Sequence, residues 1–262
     1  MNPARTWVIG DVHGCLTELD ELLRLIGWKA GGRDALLFLG DLLDRGPESV
    51  GCVRRVREIG ARCLLGNHED KHLRYREHAR RASWDRSYLN PMRPLCGKAA
   101  EAHAGLSDDD WQWLHGLPVT VALPGGYRAV HGGFPGDCAP ERARPSDLIR
   151  TRYVDAAGKP KPLGKDLNAV PEGCTFWTTH WRGPESVLYG HHVHGLDGPH
   201  VEFPAPGVRT IGLDAGCCFG GHLLAYCPEE DSFAGVRARR IYARKGVEEG
   251  AEGCNRAATV PV

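Results

Sequence analysis

Several things are missing from this 262-residue chain, and each absence narrows what it can be. It carries no net charge, because 33 Lys and Arg stand against 33 Asp and Glu. That argues against a protein-wide surface for polyanions, while leaving room for a local basic site. No apolar run approaches the roughly 18 residues of a membrane span. Met1-Asn2-Pro3-Ala4-Arg5-Thr6 leads directly into the first strand-like segment, with no secretory h-region, so the expectation is a cytoplasmic protein with no membrane partner. Ten cysteines are present, yet no two form a Cys-x-x-Cys pair. That counts against a zinc ribbon or a thioredoxin motif. Without an export signal most are expected as small buried thiols, with Cys217-Cys218 at the end of a core strand. Internal repeats and separating linkers are also lacking. The expected organisation is one domain over 1–245, long enough for a full core, followed by a flexible Gly-, Glu- and Ala-rich tail over 246–262.

What is present reads as alternating elements. Trp7-Val8-Ile9 is a short apolar strand, and Leu16, Leu19, Leu22, Leu23 and Ile26 mark one face of a helix. Ala35–Leu39 is a second strand, and Pro47 opens a helix buried through Val50, Val53, Val56 and Ile59 and closed by Gly60. Cys63-Leu64-Leu65 is a third strand. This β-α-β-α-β order implies parallel strands with right-handed crossovers. From about 71 to 116 the pattern changes to a basic, helical insert. Lys71 to Arg93 holds seven Lys or Arg against two acids, with Tyr75, Trp84 and Tyr88 interspersed. It reads either as a solvated helical face or as a basic cap for a substrate with several phosphates. Ser107 is placed to cap the helix that follows. Beyond it, Val119–Leu123 and Tyr127–Val130 flank Pro124-Gly125-Gly126 as a hairpin. Long loops with a short helix near 145–151 are expected over 135–173. Further strands are expected at Ser186–Tyr189, Val208–Leu213, Leu223–Cys227 and Arg240–Ala243.

One construction occurs five times: an apolar strand, a tight glycine turn, then a polar ligand. The ligand sets are Asp11 with His13, Asp41, Asn67, His131 and His191. Any one of them is ordinary turn chemistry, but five at strand ends form a joint signal. Mixed nitrogen and oxygen donors without thiolate suit Mn, Fe or Zn. A carboxylate can bridge two such ions about 3.5–4 Å apart, and such pairs catalyse in-line phosphoryl displacement through a bridging hydroxide. The leaving oxygen then needs a proton. His68, next to Asn67, is the natural general acid, Asp44 can orient its imidazole, and Arg45 can clamp a phosphate with its planar fork.

The arrangement resembles the phosphoprotein phosphatase branch of the calcineurin-like metallophosphoesterases. The signatures stand here as Gly10-Asp11-Val12-His13-Gly14, Gly40-Asp41-Leu42-Leu43-Asp44-Arg45-Gly46 and Gly66-Asn67-His68-Glu69, with His131-Gly132-Gly133 and Gly190-His191 following. The resemblance implies a four-layer α/β fold, a central β-sandwich flanked by helices. It implies two divalent ions, Mn first with Fe or Zn next. Asp11, His13 and Asp41 would hold one ion; Asp41, Asn67, His131 and His191 would hold the other. Asn67 and a second arginine would also meet the phosphate, and Arg182 is the candidate for that arginine. The stretches Trp181-Arg182-Gly183-Pro184 and Gly212-Leu213-Asp214-Ala215-Gly216-Cys217-Cys218-Phe219-Gly220-Gly221 are similar to the bacterial group containing symmetrical diadenosine tetraphosphatases. Two departures from that group are His192, with His194 following, and His222 after Gly220-Gly221.

The expectation is therefore a phosphohydrolase. Its leading substrates are phosphoanhydrides such as diadenosine tetraphosphate. A protein Ser/Thr phosphatase or broad phosphomonoesterase is the alternative, and a polyphosphatase or a non-catalytic binding module ranks below both. The complete ligand set argues against the binding module, and the zero net charge argues against a stable nucleic-acid partner.

Overall fold

The computed structural model describes residues 4–136, 138–163 and 169–244. The tail expected over 246–262 lies outside the described residues. In chain order the elements begin with β1 (Thr6–Ile9), α1 (Leu16–Leu25), β2 (Ala35–Phe38), α2 (Ser49–Glu58) and β3 (Arg62–Cys63). The helical stretch follows as α3 (Asn67–Trp84), α4 (Gly97–Gly105) and α5 (Asp108–His115). Next come β4 (Thr120–Leu123), β5 (Tyr127–Val130), α6 (Pro145–Leu148), β6 (Tyr153–Val154), β7 (Pro160–Lys161), β8 (Thr175–Phe176) and β9 (Ser186–Tyr189). The last third holds β10 (His200–Ala205), β11 (Val208–Gly212), β12 (Asp214–Ala215), β13 (His222–Cys227) and β14 (Ser232–Arg237). Among the described residues no helix is long and apolar enough to cross a membrane.

Two sheets pack face to face. The first runs β12-β13-β1-β2-β3, with β14 on the other edge of β13; β1, β2 and β3 are parallel and β13 is antiparallel to β1. The second runs β10-β11-β9-β5-β4, with β11, β9 and β5 parallel. A third, small sheet is β7-β6-β8.

The period-2 alternation of strands sorts each side chain into a layer. Trp7, Ile9, Leu36 and Phe38 point to a core shared with Leu19, Leu22, Val53 and Val56 of α1 and α2. The intervening Val8, Leu37 and Leu39 point the other way, against Ala129, Leu188, Ile211 and Leu213 of the second sheet. On β9, Leu188 faces the sandwich, while Val187 and Tyr189 face a third core with Phe134, Leu148 and Trp177. Strands buried on both faces must read as continuous apolar runs, and β1, β2 and β9 do. The molecule is a mixed α/β sandwich with α1 and α2 outside the first sheet and α6 with the small sheet outside the second.

Three sequence expectations need correction. Arg240–Ala243 is not a strand. It is an irregular segment whose Tyr242 and Ala243 N–H groups both donate to Cys218 O (2.9 Å each), and the strand before it is β14. Cys217-Cys218 lies in a 3₁₀ turn after β12 and not at a strand end, although both thiols are buried. The 135–173 region contains the short strands β6 and β7, whose two-residue pairings are below any periodicity that sequence can show.

A polar staple ties the two sheets at one end. Arg209 of β11 donates to Asp231 (2.9 and 3.2 Å), to the Tyr226 hydroxyl of β13 (2.7 Å) and to the Tyr127 hydroxyl of β5. Tyr226 in turn donates to Asp231 (2.7 Å). Replacing Arg209 removes the charged donor shared by both hydroxyls and Asp231, leaving the Tyr127 and Tyr226 hydroxyls only each other (3.1 Å) and Asp231. Arg209→Met is expected to cost about 2 kcal/mol, read as a lowered urea midpoint at unchanged slope; an unchanged midpoint would show that water replaces the guanidinium.

Candidate active site

The strand ends deliver their loops to one region, and backbone hydrogen bonds lace them together. The Val12 and His13 N–H groups donate to Asp41 O (3.2 and 2.8 Å), Gly14 N–H to Leu42 O (2.8 Å), and Gly46 N–H back to His13 O (2.8 Å). His191 N–H donates to the Asp11 carboxylate (3.1 Å to either oxygen). Two glycines permit the close approach. A Cβ on Gly66 would stand 2.3 Å from Asp41 Oδ1, and one on Gly190 would stand 2.1 Å from Asp11 Oδ1. Of the six non-glycine residues with positive φ among the described residues, five are here: His13, Asp41, Asp44, Arg45 and His191. Such strain persists only where surrounding contacts over-determine it.

The contact that does so comes from Glu69, in the first turn of α3. Its fully buried carboxylate accepts from the N–H groups of Asp41 (2.8 Å), Leu42 (2.8 Å), Leu43 (3.1 Å) and Gly66 (3.1 Å). Burial, then the nearby Asp41 carboxylate, push its pKa up to about 7, against the pull of His131 and the backbone donors.

Asp41 stands at the centre. Its Oδ2 is 3.5 Å from His13 Nε2 and its Oδ1 is 3.4 Å from His131 Nε2, while Oδ1 also accepts from His68 N–H (2.9 Å). Asn67 Oδ1 lies 3.1 Å from the same His131 nitrogen, and Asp11 Oδ2 is 3.9 Å from His13 Nε2. The ligand atoms of Asp41, His131 and His191 lie within 4.8 Å of one another, and so do those of His13, Asp41 and His68.

These donors suit divalent cations. A carbonyl only accepts, so the contacts of His13 Nδ1 with Leu43 O and of His131 Nδ1 with Leu39 O (2.8 Å each) place the protons on Nδ1 and the lone pairs on Nε2. His191 Nε2 is buried with no hydrogen-bond partner. Ligand bonds of about 2.0–2.2 Å bring two donors on one ion to separations of roughly 3–3.5 Å, close to those seen around Asp41. The electrostatics agree. Burial, then Asp214 and Asp41, raise the pKa of Asp11; burial also raises that of Asp214. Three buried carboxylates in mutual repulsion are relieved by added positive charge.

Beside this cluster lies an acid–base network. His68 Nδ1 donates to Asp44 Oδ2 (2.5 Å), which turns Nε2 toward Asp41. Burial lowers the His68 pKa, and Asp41 and Asp44 oppose the shift. Asp44 also accepts from His72 Nε2 (2.8 Å) and from Lys71. With these partners its pKa falls below the usual carboxylate range despite burial. His72 Nδ1 meets His103 Nδ1 (3.2 Å), and burial lowers the His103 pKa to about 4, so that ring stays neutral and can donate.

Arg45 donates to His13 Nε2 (2.6 Å) and stacks over Phe219 at 5.0 Å, so its guanidinium reaches the cluster. Arg182 does not reach it. That side chain is exposed, donates to Trp181 O (2.9 Å), and lines a separate cavity of about 630 Å³ with Arg128, Phe134 and Trp181. The arginine between the two late histidines that meets the cluster is Arg152, bonded to His191 O (3.1 Å) and 3.4 Å from its Nδ1. Burial lowers its pKa, while Asp41, Asp214 and Asp11 act to raise it. Sequence reading missed Arg152, Asp214 and the role of Glu69. Asp214 and Glu69 stand inside quoted motifs; Arg152 heads the two-residue strand β6, and its one signal is an arginine entering a short apolar run.

Glu69→Gln leaves at least one of the four buried N–H groups poorly matched. We expect a loss of about 2–3 kcal/mol of stability and roughly 10–100-fold weaker metal affinity, read by urea titration and by competition with a chelator. Unchanged metal affinity would show that the Asp41 loop holds its strained shape without the clamp.

Comparison with known proteins places this geometry. The family model described as calcineurin-like phosphoesterase matches residues 4–226. The symmetrical bis(5'-nucleosyl)-tetraphosphatase of Chromohalobacter salexigens is 31% identical, over 84% of this chain and 93% of that one. The asymmetrical bis(5'-nucleosyl)-tetraphosphatase PrpE of Oceanobacillus iheyensis is 27% identical, over 90% and 93%. The crystal structure of a protein assigned as a diadenosine tetraphosphatase superposes with a TM-score of 0.71 at 26% identity, over 90% of this chain and 94% of that one. The family uses divalent metals. The chain belongs to the calcineurin-like phosphoesterases and is a hydrolase of phosphate esters or anhydrides.

Proposed function

We propose that this chain hydrolyses dinucleoside polyphosphates, with diadenosine tetraphosphate as the leading substrate, and that it uses two divalent ions, Mn favoured. The observation that carries the reading is the Asp41 carboxylate, one oxygen toward His13 and the other toward His131, with the His68–Asp44 pair alongside. Asp11, His13 and Asp41 would hold one ion, and Asp41, Asn67, His131 and His191 the other. When bound, the ions supply charge to the phosphate oxygens and acidify the attacking water.

The rest of the chemistry falls to side chains. Arg45 and Arg152 reach the cluster from different elements and neutralise the phosphates of a polyanionic substrate. To act as the acid His68 must carry protons on both nitrogens, against the pull of burial, and it then gives its Nε2 proton to the leaving oxygen as the P–O bond breaks. Asp44 keeps the imidazole turned that way and favours its charged form. The balanced reaction is diadenosine tetraphosphate plus water to two ADP. Support for that substrate comes from the relatives, which are named for both symmetrical and asymmetrical cleavage; symmetrical cleavage, to ADP alone, is the expected outcome here.

The deciding measurement is one Mn-loaded preparation assayed side by side on diadenosine tetraphosphate, a phosphoserine peptide and inorganic polyphosphate. Preference for the dinucleotide, with ADP as the sole nucleotide product, is expected. ATP plus AMP would reassign the cleavage position, and comparable weak rates on all three would sink the substrate proposal. For the mechanism, His68→Asn is expected to lower kcat by about 10²-fold or more while metal content per chain is unchanged by elemental analysis. Full activity in that variant would exclude His68 as the acid.

A further inference from the structure

A cavity of about 370 Å³ opens beside the site, lined by Val193, His194, Leu196, Phe219, Ile241 and Arg244. Its volume falls in the range of small-molecule pockets, roughly 300–1,000 Å³. Apolar side chains that would ordinarily avoid water stand open there. Ile241 is 69% exposed and Leu196 39%. The catalytic reading uses neither of them.

The pocket is joined to the phosphate clamp. Phe219 lines it and also carries the Arg45 guanidinium over its ring. Lys98 donates to Arg45 O (2.8 Å) and lies 3.4 Å from Tyr242 O, so one ammonium holds both the clamp's backbone and the residue after Ile241. The walls are fixed in place. The Tyr242 hydroxyl donates to Glu18 Oε1 (2.7 Å), and Tyr242 N–H to Cys218 O (2.9 Å). His222 Nδ1 donates to Leu196 O (2.8 Å), and Tyr189 OH meets His194 Nε2 (3.0 Å). Two histidines that depart from the group's sequence pattern therefore shape this pocket. The glycines of the 216–221 turn make room for the walls: a Cβ on Gly216 would meet Leu196 Cδ2 at 2.7 Å, and one on Gly220 would meet Ile241 Cγ1 at 2.9 Å.

The geometry points to this pocket as the seat of a nucleobase, the nucleoside end of a polyphosphate whose phosphates lie against Arg45. This rests on the substrate reading above. A flat base has apolar faces for Phe219, Ile241 and Leu196, and polar edges for Arg244 at the rim. Base stacking on an aromatic ring tolerates any base, so the pocket selects for nucleotides over aryl or alkyl phosphates more than among bases. A phosphopeptide would call for an extended groove with backbone partners, and this pocket is compact.

The test is Ile241→Asp, which places a carboxylate on the apolar wall, with Leu196→Trp as a filling variant. We expect kcat/KM on diadenosine tetraphosphate to fall at least ten-fold more than on p-nitrophenyl phosphate, chiefly through KM. Calorimetric titration of AMP into the Mn-loaded protein gives a second readout, with affinity at least ten-fold weaker in both variants. Equal losses on the two substrates, unchanged AMP affinity, or a selective loss on a phosphoserine peptide would overturn the assignment. AMP binding keeps the two proposals separable. A wild type that binds AMP through this pocket but does not cleave the dinucleotide would retain the pocket and refute the substrate.

Discussion

The site depends on one buried carboxylate, that of Glu69, holding four backbone N–H groups from two loops. Three belong to consecutive residues, Asp41 to Leu43, in a loop where Asp41, Asp44 and Arg45 all adopt positive φ. A backbone in that region gains nothing locally, so some external acceptor must hold it. A carboxylate has enough lone pairs on its two oxygens for the task, and burial strengthens each bond. Glu69 lies two residues past Asn67 on the same helix. The clamp thereby sets the distance between the second and third loops, and with it the position of Asp41 against Asn67 and His131.

A second constraint is electrostatic. Asp11, Asp41 and Asp214 are all buried near one another, with Arg45 and Arg152 as the nearby cations. Arg45 and Arg152 are also the groups a polyphosphate would need. The chain thus holds acids that favour metal and cations that favour phosphate in one volume, and each set is more stable in the presence of the other. Charge neutrality of the whole protein conceals this, because the relevant separation of charge is over a few ångströms and not over the surface.

Legibility in sequence followed the range of each interaction. β1, β2 and β9 were readable because burial on both faces leaves a continuous apolar run, and the five strand-end loops because each carries glycine beside its ligand. Strands β6, β7, β8 and β12 have two residues each, too few for a period-2 alternation to show. Arg152 and Arg182 show the same limit in the site. Both lie between His131 and His191, and spacing alone did not separate them. What separates them is burial: Arg152 is carried inward by β6 and the aromatic core under it, whereas Arg182 follows Trp181 out to the surface. Glu69 was visible as the last letter of a motif, but three of its four partners lie 26, 27 and 28 residues before it and come within reach only when β2 and β3 pair.

The basic stretch from Lys71 to Arg93 illustrates how composition can mislead about purpose. Arg74 pairs with Asp70, Arg76 with Asp108 while also lying over Trp111, Arg80 with Glu77, and Arg81 covers Tyr88. These are exposed pairs, each worth about 0–1 kcal/mol, and they lie along the helix surface. Lys71 is different, because it turns inward to Asp44. From one run of cations, then, the fold directs a single ammonium to the acid–base network and leaves Arg74, Arg76, Arg80 and Arg81 to local partners. The cations that reach the Asp41 cluster are instead Arg45 and Arg152, single residues on separate loops, each held by contacts that no local count of Lys and Arg would reveal.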